Sequence, residues 1–390
     1  MSNSIAVINA GSSSIKFAIY QATKDERCLF RGQVEGIGVA PRLKIEDGKG
    51  DVVEERTLNA QGFDHGAATR EIIQTGSTLL KGESVIAFGH RVVHGGLKYG
   101  APARVTEAVL DDLARLEPLA PLHQPHNLAP IRAIMGLAPQ IPQIACFDTA
   151  FHRAQSNLAQ AFALPRRFAE EGVRRYGFHG LSYEFLVTRL KELAPDLAGG
   201  RVVFAHLGNG ASLCAVKDGR SVASTMGFTA VDGLMMGTRC GAVDPGVILY
   251  VMQHHGMDAA AIEDLIYRRS GLLGVSGISP DMRALRVSPD PAAKEAIALF
   301  VYRVVREMGS LVAALGGIDG LMFSGGIGEH DASTRAEVVE GSRWLGAILD
   351  PARNEHGREV LISAENSSVA VWVIPTDEER LIARHTAEMV

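Results

Sequence analysis

The chain is poor in the residues that build several common kinds of functional site. Only four cysteines occur in 390 residues, Cys28, Cys146, Cys214 and Cys240, far apart and without a Cys-x-x-Cys pair. That spacing argues against both a zinc site and a disulfide framework. No apolar run approaches the roughly 18 residues of a membrane span, and the opening Met-Ser-Asn-Ser-Ile lacks a basic region followed by an apolar stretch, so a cytoplasmic protein is expected. Charge excess is also small: 39 basic against 44 acidic side chains leave a net charge of -5, and neither nucleic acid nor a membrane is indicated as a partner. Gly-x-x-x-x-Gly-Lys-Ser/Thr is absent, no Gly-x-Gly-x-x-Gly follows the first apolar run, and Gly-x-Ser-x-Gly does not occur. P-loop enzymes, Rossmann dehydrogenases and the simplest hydrolases lose their main support. His90 and His94 stand four apart without a third ligand at a convincing spacing, and structural histidines are the expectation.

What is present suits a large folded core. Hydrophobic residues make up 46% of the chain and charged ones 21%, a composition incompatible with disorder, and the length suggests two domains. Ile5-Ala-Val-Ile-Asn-Ala-Gly-Ser-Ser-Ser-Ile-Lys-Phe-Ala-Ile-Tyr20 reads as strand, tight polar turn and alternating strand, a β-hairpin. The same grammar returns in Val202-Val-Phe-Ala-His-Leu-Gly-Asn-Gly-Ala-Ser-Leu-Cys-Ala-Val216, with Asn9 aligned to His206 and Gly11 to Gly208. This points to an internal duplication, with two halves facing each other across a cleft. A third glycine cluster, Gly320-Leu-Met-Phe-Ser-Gly-Gly-Ile-Gly-Glu-His330, reads as strand, glycine turn and then a helix over 331–340, an arrangement suited to an anion. Residues 294–315 carry apolar side chains at helical spacing. Segments 39–62 and 191–200 read as connections, and 119–130, with three prolines, as an ordered loop. Trp344 and Trp372 are expected in the core. Strands and helices in this order indicate an α/β class.

Three segments join a cation to glycine: Gly89-His-Arg-Val-Val-His-Gly-Gly96, Arg175-Tyr-Gly-Phe-His-Gly180 and Gly237-Thr-Arg-Cys-Gly241. Singly, each reads best as a surface turn with a solvated cation. Together, beside the glycine-rich tips, they favour phosphoryl transfer, which needs positioned positive charge more than it needs an acid or a base.

These segments, with Asn9-Ala-Gly-Ser-Ser-Ser-Ile-Lys16, Pro121-Leu-His123, Phe147-Asp-Thr-Ala-Phe-His152, His206-Leu-Gly-Asn-Gly-Ala-Ser212, Gly325-Gly-Ile-Gly-Glu329 and Pro375-Thr-Asp-Glu-Glu379, resemble the motif series of the acetokinase family. They run in family order along nearly the whole chain. The resemblance implies two duplicated actin-like (ribonuclease H-like) α/β domains flanking a nucleotide cleft. The first would span 1–150, completed by 378–390, and the second 151–377. A homodimer is implied as well. The implied reaction is ATP plus acetate to ADP plus acetyl phosphate, with propionate as an alternative substrate. A nucleotide-gated binding protein of the same superfamily is the rival from another class.

By the same resemblance, Asn9 and Glu378 lie near Mg²⁺, for which Mn²⁺ can substitute. Lys16, the loop of His206, Leu207, Gly208, Asn209 and Gly210, the segment Asp281, Met282 and Arg283, and the loop of Gly326, Ile327, Gly328, Glu329 and His330 surround ATP or ADP. Arg91 takes the substrate carboxylate, with Val93, Leu122, His123 and Phe178 nearby and Ala230 where the family often has proline. His179 and Arg239 stabilise the phosphoryl group in flight. Asp148 falls at the position of a family acid/base. A carboxylate substrate is already ionised at pH 7, so the chemistry favours Asp148 as a group that orients an arginine or a metal-bound water. Gln124, Cys240 and Ala242 depart from the usual family residues.

Overall fold

The computed structural model describes residues 3–23, 25–80, 82–356 and 359–390. The chain divides into two compact units, Met1–Ala150 with Asp377–Val390, and Phe151–Thr376. In the first, β1 (Asn3–Ala10) and β2 (Ser14–Gln21) form the expected hairpin, with Ala10 opposite Ile15 and Asn9 opposite Lys16. The strands β3 (Cys28–Glu35), β4 (Arg42–Asp47), β5 (Val52–Thr57), β6 (Ser84–Val92), β7 (Ala103–Arg104) and β8 (Gln143–Phe147) complete a sheet of order β5-β4-β3-β2-β1-β6-β8-β7. In the second unit, β9 (Arg201–Leu207), β10 (Ala211–Lys217), β11 (Arg220–Ser224), β12 (Gly320–Ser324), β13 (Val360–Leu361) and β14 (Ala370–Val373) are ordered β11-β10-β9-β12-β14-β13.

The duplication extends beyond the hairpins. Three antiparallel strands followed by two parallel ones recur as β3-β2-β1-β6-β8 and β11-β10-β9-β12-β14. Asn9 and His206 are each the penultimate residue of their strand, opposite Lys16 and Ser212.

Apolar residues of the first sheet, among them Ile8, Ile15, Phe17, Val34 and Leu43, pack with Ala68 and Ile72 of the helix His65–Leu79 and Ile134 of the helix Gln124–Leu137. The C-terminal helix Glu378–Ala387 packs on β1, β6 and β8. Gly89 permits that approach, because a Cβ there would lie 2.4 Å from Thr386 Oγ1 and 2.6 Å from Ile382 Cγ2. In the second unit, Tyr183, Leu186, Val187 and Leu190 of the helix Gly180–Leu193 pack on Phe204, Val216 and Met322. The long helix Pro291–Leu315 packs on β9, β10 and β11. His90 and His94 are buried, and loss of solvent pushes both down to about 4, so they are neutral. Cys28, Cys146, Cys214 and Cys240 are thiols rather than half-cystines, and burial raises the Cys240 thiol above its ordinary value. Among the described residues no helix is long and apolar enough to cross a membrane.

Several local expectations are corrected. The segment 119–130 is not a loop: Gln124–Leu137 is helical through Pro125 and Pro130. Pro125 occupies the first turn, where its missing N–H removes no helical bond. Pro130 costs about 3 kcal/mol, but Leu128, Ile131 and Ile134 are fully buried, each stabilising by about 1.5–3 kcal/mol. The segment 39–62 contains β4 and β5. Leu43 and Ile45 alternate into the core between charged neighbours, whereas edge strand β5 is nearly all exposed and carries Glu54, Glu55 and Arg56, charge of the kind edges often bear. Within 191–200 the preceding helix runs to Leu193 and a short turn, Pro195–Ala198, follows. The third glycine cluster is itself helical, Gly325–His330, directly after β12. Trp372 is half-buried against the second core, but Trp344 is 67% exposed, its ring edge lying over Gly309.

Candidate functional site

In the first unit, the ends of the neighbouring strands β1, β6 and β8 bring Asn9, Arg91 and Asp148 together, the place where open α/β sheets bind ligands. Arg91 donates from Nε to Asp148 Oδ1 at 3.1 Å and from Nη2 to Oδ2 at 2.6 Å. This is a two-pronged fork, and Asp148 is only 1% exposed. Arg91 Nη1 also donates to Asn9 Oδ1 at 3.3 Å, and its Nε lies 3.7 Å from Glu378 Oε2. Burial opposes the Arg91 charge, yet Asp148 and Glu378 hold its proton above the ordinary arginine value. Asn9 Nδ2 donates to Glu379 Oε1 at 2.8 Å and to Glu378 Oε2 at 3.5 Å. Burial raises Glu378 to about 7; Arg91 opposes the shift, while the neighbouring charges of Asp148 and Glu379 add to it.

Asp148 and Glu378 thus lie against Arg91, and Glu379 against Asn9. Asn9 and Glu378 supply oxygen donors of the kind Mg²⁺ prefers. Among the described residues no group of three or more histidine, cysteine, aspartate or glutamate side chains is arranged to hold a metal alone. The donor set therefore fits a hydrated ion that takes its other ligands from a phosphate chain. Sequence reasoning missed Glu379 and Asn127. Asn127 accepts from Val93 N–H at 2.8 Å and donates to the Ala10 carbonyl at 2.6 Å, fastening the ends of β6 and β1. No signal marked it, since it lies in the helix read as a loop. Gln124 is a staple: its side chain accepts from His94 N–H and donates to the His94 and Leu113 carbonyls. His123 stands at the N-cap position of the same helix, half-buried, without a side-chain capping bond. Val93 is buried, Leu122 is half-buried and Lys16 is exposed, all in this unit.

The second unit holds His179, Arg239 and the β9–β10 hairpin. His179 has a positive φ of 59° at the start of the helix Gly180–Leu193, a strained conformation for a non-glycine residue that often marks a functional position. Its Nδ1 lies 2.8 Å from Ser212 Oγ, and its ring centroid is 4.5 Å from that of His206. His206 Nδ1 in turn pairs with Ser182 Oγ, which donates to Thr376 Oγ1. Arg239 Nη1 donates to the Ala230 carbonyl at 2.5 Å. Phe178 is 1% exposed, with its carbonyl bonded to His152 Nε2. Both side chains converge on Gly210: a Cβ there would lie 2.7 Å from Arg239 Nη2 and 3.4 Å from His179 Nε2. Gly210→Ala should therefore fold almost normally, because only the flexible tip of Arg239 must yield, but kcat should fall at least about ten-fold as the guanidinium moves. Steady-state kinetics with a thermal melt check this; wild-type kcat in the variant would remove the role assigned to the bare glycine.

Three separated segments line one cavity of about 530 Å³ in this unit: Gly208 and Asn209, Pro280 to Arg283, and Gly326, Ile327, His330 and Asp331. The volume suits a small-molecule ligand. Arg286 ties two walls together, donating to Asp331 at 3.1 Å, to Thr334 at 2.8 Å and to Glu337 at 2.7 and 2.9 Å. Sequence reasoning included neither Pro280 nor Asp331. His206, Leu207, Gly210, Gly328 and Glu329 do not line this cavity. Glu329 instead accepts from Gly325 N–H at 2.9 Å and Thr376 N–H at 3.3 Å, so the first amide of that short helix is not open to an anion.

Residues 4–384 match the model of the acetokinase family. The chain is 51% identical over 399 residues to the acetate kinase of Methylocella silvestris, covering 100% of this chain and 98% of that one. Among solved structures, it resembles Porphyromonas gingivalis acetate kinase at 37% identity and a TM-score of 0.89, with 99% of both chains covered. It also resembles a propionate kinase from Francisella tularensis subsp. tularensis at 32% identity and a TM-score of 0.92, with both chains covered fully. A match of this length, on a sheet duplicated in both units, assigns fold and lineage together: the chain belongs to the acetokinase family.

Proposed function

We propose that this chain transfers the γ-phosphoryl group of ATP to acetate, giving ADP and acetyl phosphate, and catalyses the reverse as well. A carboxylate oxygen forms the new bond to phosphorus, and the bond from phosphorus to the β,γ-bridging oxygen breaks with its electron pair leaving on ADP. One observation carries the reading. Arg239 and His179 crowd the bare Gly210 at the tip of a hairpin whose Gly208 and Asn209 line the cavity. Fixed donors around the equatorial oxygens are what phosphoryl transfer requires. Gly208, Asn209, Asp281 to Arg283, Gly326, Ile327 and His330 hold the nucleotide, with Lys16 on its phosphates. Arg91 pairs with the substrate carboxylate, and Asp148, which has no substrate proton to remove, keeps the Arg91 fork aligned. Asn9 and Glu378 hold Mg²⁺ or Mn²⁺, which when bound neutralises phosphate charge.

Incubation of the protein with ATP, acetate and hydroxylamine should yield acetyl hydroxamate; its absence would overturn the reading and favour a nucleotide-gated binder. Likeness to a propionate kinase supports a second reading, propionate as the main acceptor. One methylene is worth only about 10 to 200-fold in an apolar pocket, so the ratio of kcat/KM for the two acids separates the readings. Four thiols suit a reducing compartment, the cytoplasm.

A homodimer is supported by the helix Pro245–His255, which buries none of its residues and exposes Val247, Leu249, Tyr250 and Met252. An apolar helix without a covering layer is the usual mark of a subunit contact. Leu249→Asp should convert a dimer into a monomer in light scattering. A monomeric wild type, or a variant that remains dimeric, would exclude this surface.

A further inference from the structure

Behind His179, inside the second unit, Tyr183 and Ser212 complete a hydrogen-bonded row. The Tyr183 hydroxyl lies 2.5 Å from Ser212 Oγ, which lies 2.8 Å from His179 Nδ1. Tyr183 and Ser212 are both 0% exposed. Burial raises the Tyr183 phenol well above its ordinary value, so it keeps its proton. Among the described residues that hydroxyl has one hydrogen-bond partner, Ser212 Oγ.

The proton count along the row is then determined. A buried O–H that fails to donate costs about 1–3 kcal/mol, so Tyr183 donates to Ser212. Serine has a single hydroxyl hydrogen, which is left to be donated to its other neighbour, His179 Nδ1. That nitrogen must present a lone pair, and the ring hydrogen resides on Nε2. The reverse direction, with an imidazolium donating to Ser212 and Ser212 to Tyr183, would strand the phenolic hydrogen. The nearby Arg239 guanidinium also disfavours a second positive charge on the ring.

We propose that Tyr183 and Ser212 form a tautomer lock that fixes His179 as the Nε2–H imidazole, making it a hydrogen-bond donor in phosphoryl transfer and not a proton acceptor. The purpose of the lock rests on the phosphoryl-transfer reading above. Its Nε2 lies on the same bare face of Gly210 as Arg239 Nη2, so the ring N–H and the guanidinium serve as paired donors for phosphoryl oxygens. Tyr183 and Ser212 touch no reacting atom in this scheme; they are positioning residues.

The test is long-range ¹H–¹⁵N correlation of the histidine rings in uniformly labelled protein near neutral pH, with the His179 signals assigned by their loss in His179→Gln. The wild type should show an unprotonated Nδ1 and a protonated Nε2. In Ser212→Ala both nitrogens should move toward tautomer-averaged positions, and kcat should fall about ten-fold with KM for ATP little changed. Tyr183→Phe, which releases the serine hydroxyl to rotate, should move the ring signals in the same direction. A protonated Nδ1 in the wild type, or unchanged ring shifts in Ser212→Ala, would overturn the lock. Failure of the wild type to form acetyl phosphate while showing the expected tautomer would overturn the functional reading and not the lock.

Discussion

Arg239→Ala is expected to lower kcat for acetyl phosphate formation by about 10³ to 10⁵, the range found when an arginine that meets transition-state charge is removed. KM for acetate and for ATP should change little. Arg239 is anchored by the Ala230 carbonyl and aimed at Gly210 beside His179; in the proposed reaction it meets charge that develops only as the phosphoryl group moves. Losing such a contact lowers kcat and kcat/KM together. Arg91→Ala should behave differently, chiefly raising KM for acetate, because its partner is the substrate carboxylate in ground and transition state alike. Steady-state kinetics of both variants, with unfolding curves to show that each is folded, separate the roles. A folded Arg239→Ala protein within about ten-fold of wild-type kcat would exclude Arg239 from the transition state, since a charge-assisted hydrogen bond alone is worth at least that much.

Asp148→Asn should reduce kcat/KM for acetate by about 10²-fold or more without deleting a limb of the pH–rate profile. Asp148 is almost completely buried and accepts both prongs of Arg91. An amide offers one acceptor oxygen and turns a donor toward a guanidinium that has only donors. Breaking one side of a buried pair costs about 3–5 kcal/mol. The lower end applies here, because Glu378 lies 3.7 Å from Arg91 Nε and partly replaces the lost charge. About 3 kcal/mol corresponds to roughly 10² in rate. Rate measurements across pH with both proteins distinguish orientation from proton transfer. If the variant loses an acidic limb that the wild type possesses, Asp148 accepts a proton and the orienting role is wrong.

The sequence by itself determined the features carried by short-range order. Alternation on either side of two glycine-bearing turns specified both hairpins, helical spacing specified the long helix Pro291–Leu315, and the ordered motif series specified the family. These properties are written in neighbouring residues, where periodicity and turn chemistry act locally. Only the tertiary structure decided which atoms meet. Arg91 finds Asp148 57 positions away, and Asn9 finds Glu379 370 positions away. Glu329, on a glycine-rich segment that resembles a phosphate loop, is spent on backbone amides. The prolines of 119–130 argued for a loop until burial of Leu128, Ile131 and Ile134 outweighed the lost helical bond. Trp344, apolar enough for a core, lies at the surface. Ser212 was visible as a member of a motif, but its hydrogen acquires a direction only when Tyr183 is buried beside it, with Ser212 the one partner of that phenol among the described residues. Burial and hydrogen-bond satisfaction depend on which segments pack together, and for groups this far apart in the chain that is settled by the folded core.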